Sequence, residues 1–260
     1  MILKKYKPIT CGQRFKILIN YKQLIYVKKN KKLFVKKKKK NGRNNQGKIT
    51  IPHLGGGHKK KYRIIDFKRN KYNILGFLKS IEYDPNRNCF ISLIYYIDGE
   101  KRYILYNKGM KVNQKILSSK KYLFPIIGYS MPIKYILDGT LISCIEKSPN
   151  NGAVYARSAG TYAKIISKKK FAKIKLSSNK IINISLNCMA TIGVVSNENF
   201  KLISLGKAGR KRWLGKRPRT RAVAMNPIDH PMGGGEGKAS GGQPRNKKGK
   251  LSKGYKTKKK

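Results

Sequence analysis

Acidic side chains are scarce: 10 Asp and Glu stand against 62 Lys and Arg in 260 residues, a formal charge of +52. A chain so lopsided repels itself unless a polyanion lies close by, so nucleic acid belongs to its expected working state and ordinary small-molecule enzymology does not. Paired cysteines are missing too. Cys11, Cys89, Cys144 and Cys188 are widely separated, which excludes a zinc knuckle or a thioredoxin-like pair and leaves buried or incidental thiols of a reducing compartment. Lys or polar residues interrupt every hydrophobic segment before the roughly 18 residues a bilayer requires. The opening Met1 to Tyr6 has neither the apolar core of a signal peptide nor the Ser- and Arg-rich character of a transit peptide, so no membrane and no visible address are expected. Abundant Lys, Asn, Ile and Tyr with few Ala are what an AT-rich genome encodes, such as that of a reduced organelle or endosymbiont.

Charge and glycine divide the chain into a basic head (1–59), a hydrophobically patterned middle and a basic tail (201–260). In the middle, β-branched and aromatic runs recur at Tyr62 to Phe67, Ile74 to Tyr83, Phe90 to Ile97, Arg102 to Tyr106, Thr140 to Ile145, Tyr162 to Ile166, Phe171 to Leu176, Ile181 to Leu186 and Thr191 to Val195. Short strands without a long helix predict an all-β fold. Asp98-Gly99 reads as a two-residue hairpin turn, and Asp84-Pro85-Asn86 and Ser177-Ser178-Asn179 are turn chemistry. The weaker patterning from Asn107 to Asp138 separates two strand groups, so two small barrels are expected, 60–122 and 123–200. No repeat of fixed period is evident. The flanking Lys runs offer little to bury and in isolation are expected to be disordered.

The chemistry lies in the flanks. Gly42 to Thr50 and His53 to Arg63 in the head, and Gly206 to Arg221 and Met225 to Lys238 in the tail, combine glycine with cations. A triple glycine removes three Cβ atoms, so backbone can press on a ribose-phosphate surface; neighbouring Arg and Lys neutralise phosphates, and Trp213 offers a face to an unstacked base. A flexible linker explains the glycines but not Trp213, Asn226, Asp229 and His230 among them. A phosphate-binding nucleotide loop is absent, because Gly237-Lys238 runs into Ala239 with Met232 five residues earlier. His53 and His58 have a metal-like spacing, yet no Cys pair or nearby carboxylate completes a tetrahedron. His230 beside Asp229 has the makings of a general base, but without a nucleophile or oxyanion site, hydrogen bonding to RNA is the better reading.

Met225-Asn226-Pro227 through Gly237 completes an ordered set with Tyr6-Lys7-Pro8-Ile9-Thr10, Gly42-Arg43-Asn44-Asn45, Gly55-Gly56-Gly57-His58-Lys59, Ile65-Asp66-Phe67, Ile81 to Arg87, Asp98 to Ile104 and Ala156 to Tyr162. In that order they resemble the universal large-subunit ribosomal protein L-two family in its bacterial and organellar form, nearly end to end. The resemblance implies an OB-like barrel followed by an SH3-like barrel, with basic extensions inserted into large-subunit ribosomal RNA near the peptidyl-transferase region and toward the subunit interface. It implies a non-enzymatic scaffold that supports subunit association, tRNA binding and peptide-bond formation. Partners are then large-subunit rRNA, other ribosomal proteins and small-subunit rRNA, with no small-molecule substrate and no cofactor beyond Mg²⁺ that accompanies rRNA.

Residues expected to contact RNA are Arg43, Asn44, Asn45, Lys48, His53, Gly55, Gly56, Gly57, His58, Lys59 and Lys60 in the head. In the barrels they are Arg63, Arg69, Arg87, Arg102, Arg157 and Ser158. In the tail they are Lys207, Arg210, Arg212, Trp213, Arg217, Arg219, Arg221, Asn226, Asp229, His230, Gly233, Gly234, Gly235, Lys238, Lys253 and Lys256. The chain departs from the family pattern at Pro52, Leu54, Ala222 and Met232, and Arg245 to Gly249 stands where a Trp-containing element is usual. Composition and the alignment of its opening with the family's start favour a plastid or similar organelle as the source, with a bacterial cytoplasm as the alternative. Two rival functions remain: a histone-like DNA-compacting protein, and a ribosomal catalyst acting through His230.

Overall fold

The computed structural model describes residues 3–25, 31–237 and 242–254; the candidates Lys238 and Lys256 lie outside them. The chain divides into two compact units, one of residues 1–38 and 59–208, the other of residues 39–58 and 209–260. The first holds both barrels. Strands β1 (Leu3–Lys5) and β2 (Ile17–Ile19) pair antiparallel, as do β3 (Phe34–Lys36) and β4 (Lys61–Arg63). The head is thus more than a solvated tail: Ile19 and Leu24 are buried with Leu78, Phe90 and Ile94 in one apolar cluster, because the triplet Ile17-Leu18-Ile19 has enough apolar surface to offset its ordering.

The first barrel is built on β5 (Gly76–Glu82), β6 (Ile91–Tyr96), β7 (Lys101–Leu105) and β8 (Lys115–Ile116), in the order β7-β6-β5-β8. Strand β6 is buried on both faces. Successive side chains point to opposite faces of a strand, so Ile94 and Tyr96 join the cluster of Leu78 while Ile91 and Leu93 join a second one with Tyr103 and Val195. The loop from β6 to β7 is longer than the expected two residues. The Gly99 N–H donates to the Tyr96 carbonyl at 3.0 Å and the Tyr96 N–H to the Glu100 carbonyl at 2.9 Å, and within this loop only Gly99 has positive φ (+81°). A two-residue type I′ turn needs positive φ at both central positions; here a type I turn is followed by a left-handed glycine. The β14–β15 hairpin described below repeats the device with Asn179 at φ +64°.

The second barrel comprises β9 (Ser130–Pro132), β10 (Leu141–Ser143), β11 (Ile145–Glu146), β12 (Ala153–Tyr155), β13 (Ala163–Lys168), β14 (Ala172–Leu176), β15 (Ile181–Ile184) and β16 (Met189–Ile192). Six of them form one sheet in the order β15-β14-β13-β10-β16-β9. Alternation is strict in β14, where Ala172 and Ile174 are buried while Lys173 and Lys175 face solvent. The buried Glu146 carboxylate accepts N–H groups of Asn150, Gly152 and Met189 at 3.2, 2.9 and 3.0 Å, pinning the loop after β11 against β16. The fold is all-β, an OB-like barrel followed by an SH3-like barrel with basic extensions.

A buried polar seam joins the barrels. Asn107 donates to Ser143 Oγ (3.1 Å) and to the Ile192 carbonyl (3.0 Å), and is fully buried. Arg69 donates to Ser118 Oγ (3.0 Å) and to the carbonyls of Leu117 and Gly128 (3.4 and 3.2 Å). Buried polar groups satisfied in this way fix one arrangement, since any slip leaves donors unpaired at about 1–3 kcal/mol each.

Candidate nucleic-acid interface

The second unit is discontinuous in sequence, and its two segments meet through glycine. Helix α1 (Ala208–Trp213) ends in a Schellman motif: the Lys216 N–H reaches the Lys211 carbonyl at 3.0 Å and the Gly215 N–H reaches Arg212 at 2.9 Å, with Gly215 at φ +87°. Beyond it the tail runs antiparallel to the head's triple glycine. Gly55 N–H donates to the Gly215 carbonyl (3.0 Å), His58 N–H to Trp213 (2.8 Å) and Arg217 N–H to His53 (2.9 Å), with a Leu54–Lys216 bridge between them. His53 Nδ1 lies 2.8 Å from the Pro218 carbonyl and so carries the proton there. A Cβ at Gly57 would fall 2.7 Å from both N and Cα of Gly215. Gly57 is therefore glycine because the chain's own backbone crosses it, a reason internal to the protein. The crossing also stacks His58 on Trp213, with ring centres 6.3 Å apart and planes 29° apart. Trp213 remains 49% exposed.

A second glycine-locked loop carries His230. The His230 and Asp229 N–H groups both point to the Asn226 carbonyl (3.3 and 3.0 Å), and Gly233 and Gly234 N–H close the loop on His230 and Met225. Any Cβ at Gly233 would meet the Asn226 and Met225 carbonyl oxygens at 2.4 and 2.5 Å. His230 is 8% exposed, and its Nδ1 accepts the Met232 N–H at 3.1 Å. That nitrogen is occupied by its own loop rather than by Asp229, a geometry of loop closure more than of a general base. Met232 also accepts the Arg245 N–H through sulfur at 3.2 Å.

The other predicted residues sort by exposure. Arg43, Asn44, Asn45, Lys48, His58, Lys59, Arg157, Ser158, Lys207, Arg217, Arg219, Arg221, Asn226, Asp229, Gly235 and Lys253 are exposed, and Arg210, Arg212 and Lys60 half-buried. Four barrel arginines are engaged within the protein. Arg69 closes the inter-barrel seam instead of facing outward. Arg63 and Arg87 flank the buried Asp84 at 3.5 and 2.7 Å, and Arg102 reaches Asp66 (2.9 Å) and Glu100 (2.6 Å).

Sequence reasoning missed what this means for the acids. The first unit holds eight of the ten carboxylates, and each has a donor inside it. Asp66, Asp84 and Glu100 meet arginines, Asp98 and Glu100 meet Lys71, Asp138 meets Lys168, Glu198 meets Lys108, Glu82 accepts from Ser80 and Tyr103, and Glu146 holds backbone N–H groups. Hydrogen bonds from Lys71 hold the Asp98 carboxyl below its ordinary range, and those from Arg102 and then Lys71 do the same for Glu100. The surplus charge left facing solvent is cationic.

Two family profiles match this chain, "Ribosomal Proteins L2, RNA binding N-terminal domain" over residues 30–118 and "Ribosomal Proteins L2, C-terminal domain" over residues 126–249. The chain belongs to the L2 family of ribosomal proteins. It is 58% identical to "Large ribosomal subunit protein uL2" of Karelsulcia muelleri (strain GWSS) over 261 residues, which cover 100% of this chain and 96% of the relative. The protein of that name from Christiangramia forsetii is 55% identical, covering 99% of this chain and 92% of its own length. That from Flavobacterium johnsoniae is 53% identical, covering 100% and 95%. These relatives are bacterial and are named as components of a large ribosomal subunit, a structural and non-enzymatic class. The organellar source suggested by composition finds no support among them.

Proposed function

We propose that this chain binds and rigidifies large-subunit ribosomal RNA near the peptidyl-transferase region of a bacterial ribosome, in the cytoplasm, and so supports subunit association, tRNA binding and peptide-bond formation. The second unit carries the reading: it has twenty-one Lys and Arg against two acids, Asp229 and Glu236, and glycine crossings give a defined frame to the cations that lie among its described residues. Other ribosomal proteins and small-subunit rRNA complete the partners, and Mg²⁺ enters with the RNA rather than as a resident cofactor.

The test is binding of the full chain to transcribed large-subunit rRNA across salt. Neutralising six to ten phosphates makes affinity fall about 10³- to 10⁵-fold between 50 and 200 mM, while preference over duplex DNA of equal charge persists. Equal affinity for both would favour a DNA-compacting protein. His230→Ala should impair assembly or subunit joining; normal particles with a collapsed chemical step would make His230 catalytic and refute the scaffold.

A further inference from the structure

The tail contains a near-copy of the head's basic loop. Arg43-Asn44-Asn45-Gln46-Gly47-Lys48-Ile49-Thr50 and Arg245-Asn246-Lys247-Lys248-Gly249-Lys250-Leu251-Ser252 share Arg, Asn, Gly and Lys at matching places, then an aliphatic residue and a hydroxyl. No fixed period signals it, because the copies stand alone at either end of the chain.

The copies fold alike. Arg43 bridges Ile49, and Arg245 bridges Leu251, both antiparallel. The Asn44 N–H meets the Lys48 carbonyl at 2.9 Å, and Asn246 meets Lys250 at 2.8 Å. Asn44 Oδ1 accepts the N–H groups of Gln46 and Lys48 (3.0 and 3.0 Å), and Asn246 Oδ1 those of Lys248 and Lys250 (2.9 and 3.1 Å). Gly47 and Gly249 sit at φ +76° and +77°. The closing hydroxyls also correspond: Thr50 Oγ1 donates to the Gly42 carbonyl at 3.3 Å, Ser252 Oγ to the Pro244 carbonyl at 2.9 Å.

Such a loop has a mechanical purpose. With its inner N–H groups spent on one asparagine oxygen, the hairpin keeps its shape without a core, and the cations flanking that asparagine stay exposed at fixed spacing. The second copy carries more charge, because Lys247 and Lys248 replace Asn45 and Gln46. A hollow of about 470 Å³ opens at its base, lined by Gln243, Pro244, Leu251, Lys253 and Gly254. Fixed cations that form no ion pair among the described residues match a phosphodiester backbone.

From this correspondence we infer that the Pro244–Ser252 hairpin is a second RNA-backbone clamp, equivalent to the Gly42–Thr50 hairpin and built to grip the same kind of phosphodiester bend. The inference rests on the ribosomal-RNA reading above. Arg245, Lys247, Lys248 and Lys250 contact phosphate, and Asn246 positions them.

The experiment uses the full chain and transcribed large-subunit rRNA, with circular dichroism and Trp213 emission confirming that each variant is folded. Changing Arg245, Lys247, Lys248 and Lys250 together to Gln should reduce the slope of log affinity against log salt by about 3, near 0.7–0.9 for each phosphate lost. Asn246→Ala leaves the charge unchanged yet should weaken binding about fivefold, the factor carried by a lost asparagine cap, and Asn44→Ala should do likewise. An unchanged slope in the Gln variant overturns the inference. So does wild-type affinity in Asn246→Ala, which would reduce the hairpin to loose charge. Failure of the unaltered chain to prefer rRNA over duplex DNA condemns the underlying reading instead.

Discussion

Replacing Gly57 by alanine puts a methyl group 2.7 Å from two backbone atoms of Gly215 and 3.2 Å from the Leu214 carbonyl carbon. Backbone cannot rotate away as a side-chain end can, so the two strands must separate by several tenths of an ångström. Overpacking of this size costs about 1–3 kcal/mol. The hydrogen bonds from Gly55 to Gly215 and from His58 to Trp213 stand to lose about 0.5–1.5 kcal/mol each. A total of about 2–6 kcal/mol raises the open population of the junction at least 30-fold or so. Gly56→Ala is the control: Gly56 has φ +66°, but the nearest atom is the end of the Arg212 side chain at 3.8 Å, so only the left-handed penalty of about 1–2 kcal/mol applies. Trp213 is the only tryptophan and stacks on His58, so its emission and the exchange of the His58 amide report the junction directly. Gly57→Ala should shift both well beyond Gly56→Ala while strand content by circular dichroism is retained. Equal behaviour of the two variants would refute the claim that backbone crossing dictates glycine at 57.

Arg69→Met takes the donor from Ser118 Oγ and the Gly128 carbonyl, while Leu117 keeps the Ser130 N–H at 3.1 Å, and should cost about 2–4 kcal/mol, lowering Tm by about 5–15 °C in thermal unfolding; an unchanged Tm would empty the seam of its assigned role. Burial pushes the thiols of Cys89, Cys144 and Cys188 up to about 11, 12 and 11, so a thiol reagent at pH 8 should modify Cys11, which is exposed, and the other three after denaturation. Depressed carboxyls stabilise the folded state above their unfolded values and lose that contribution as pH falls through the folded ones. By NMR titration Asp98 and Glu100 should therefore show midpoints below 3.8 and 4.5, returning toward them in Lys71→Ala.

The nine runs of β-branched and aromatic residues each correspond to strand in the structure, within a few residues, because alternation such as Ala172-Lys173-Ile174-Lys175 states both strand and buried face. Strand β1 was illegible for the opposite reason: two of its three residues are lysine, and pairing with β2 rather than its own pattern makes it a strand. The glycine segments were legible as places of close approach, but a single sequence does not say what approaches. For Gly57 it is Gly215, far away along the chain. The arginines at 63, 69, 87 and 102 resemble surface cations on paper, and only the fold reveals that carboxylates, hydroxyls and carbonyls inside the barrels consume them.

Because the His53–His58 strand finds its partner in Trp213–Arg217, synthesis imposes a wait. At about 5–20 residues per second, the head leaves the exit tunnel roughly ten seconds or more ahead of the tail. During that interval a glycine-rich cationic ribbon is born without its mate, exposed to any nucleic acid nearby. A nascent-chain escort, or prompt capture by its own transcript-derived scaffold, would spare the cell that hazard.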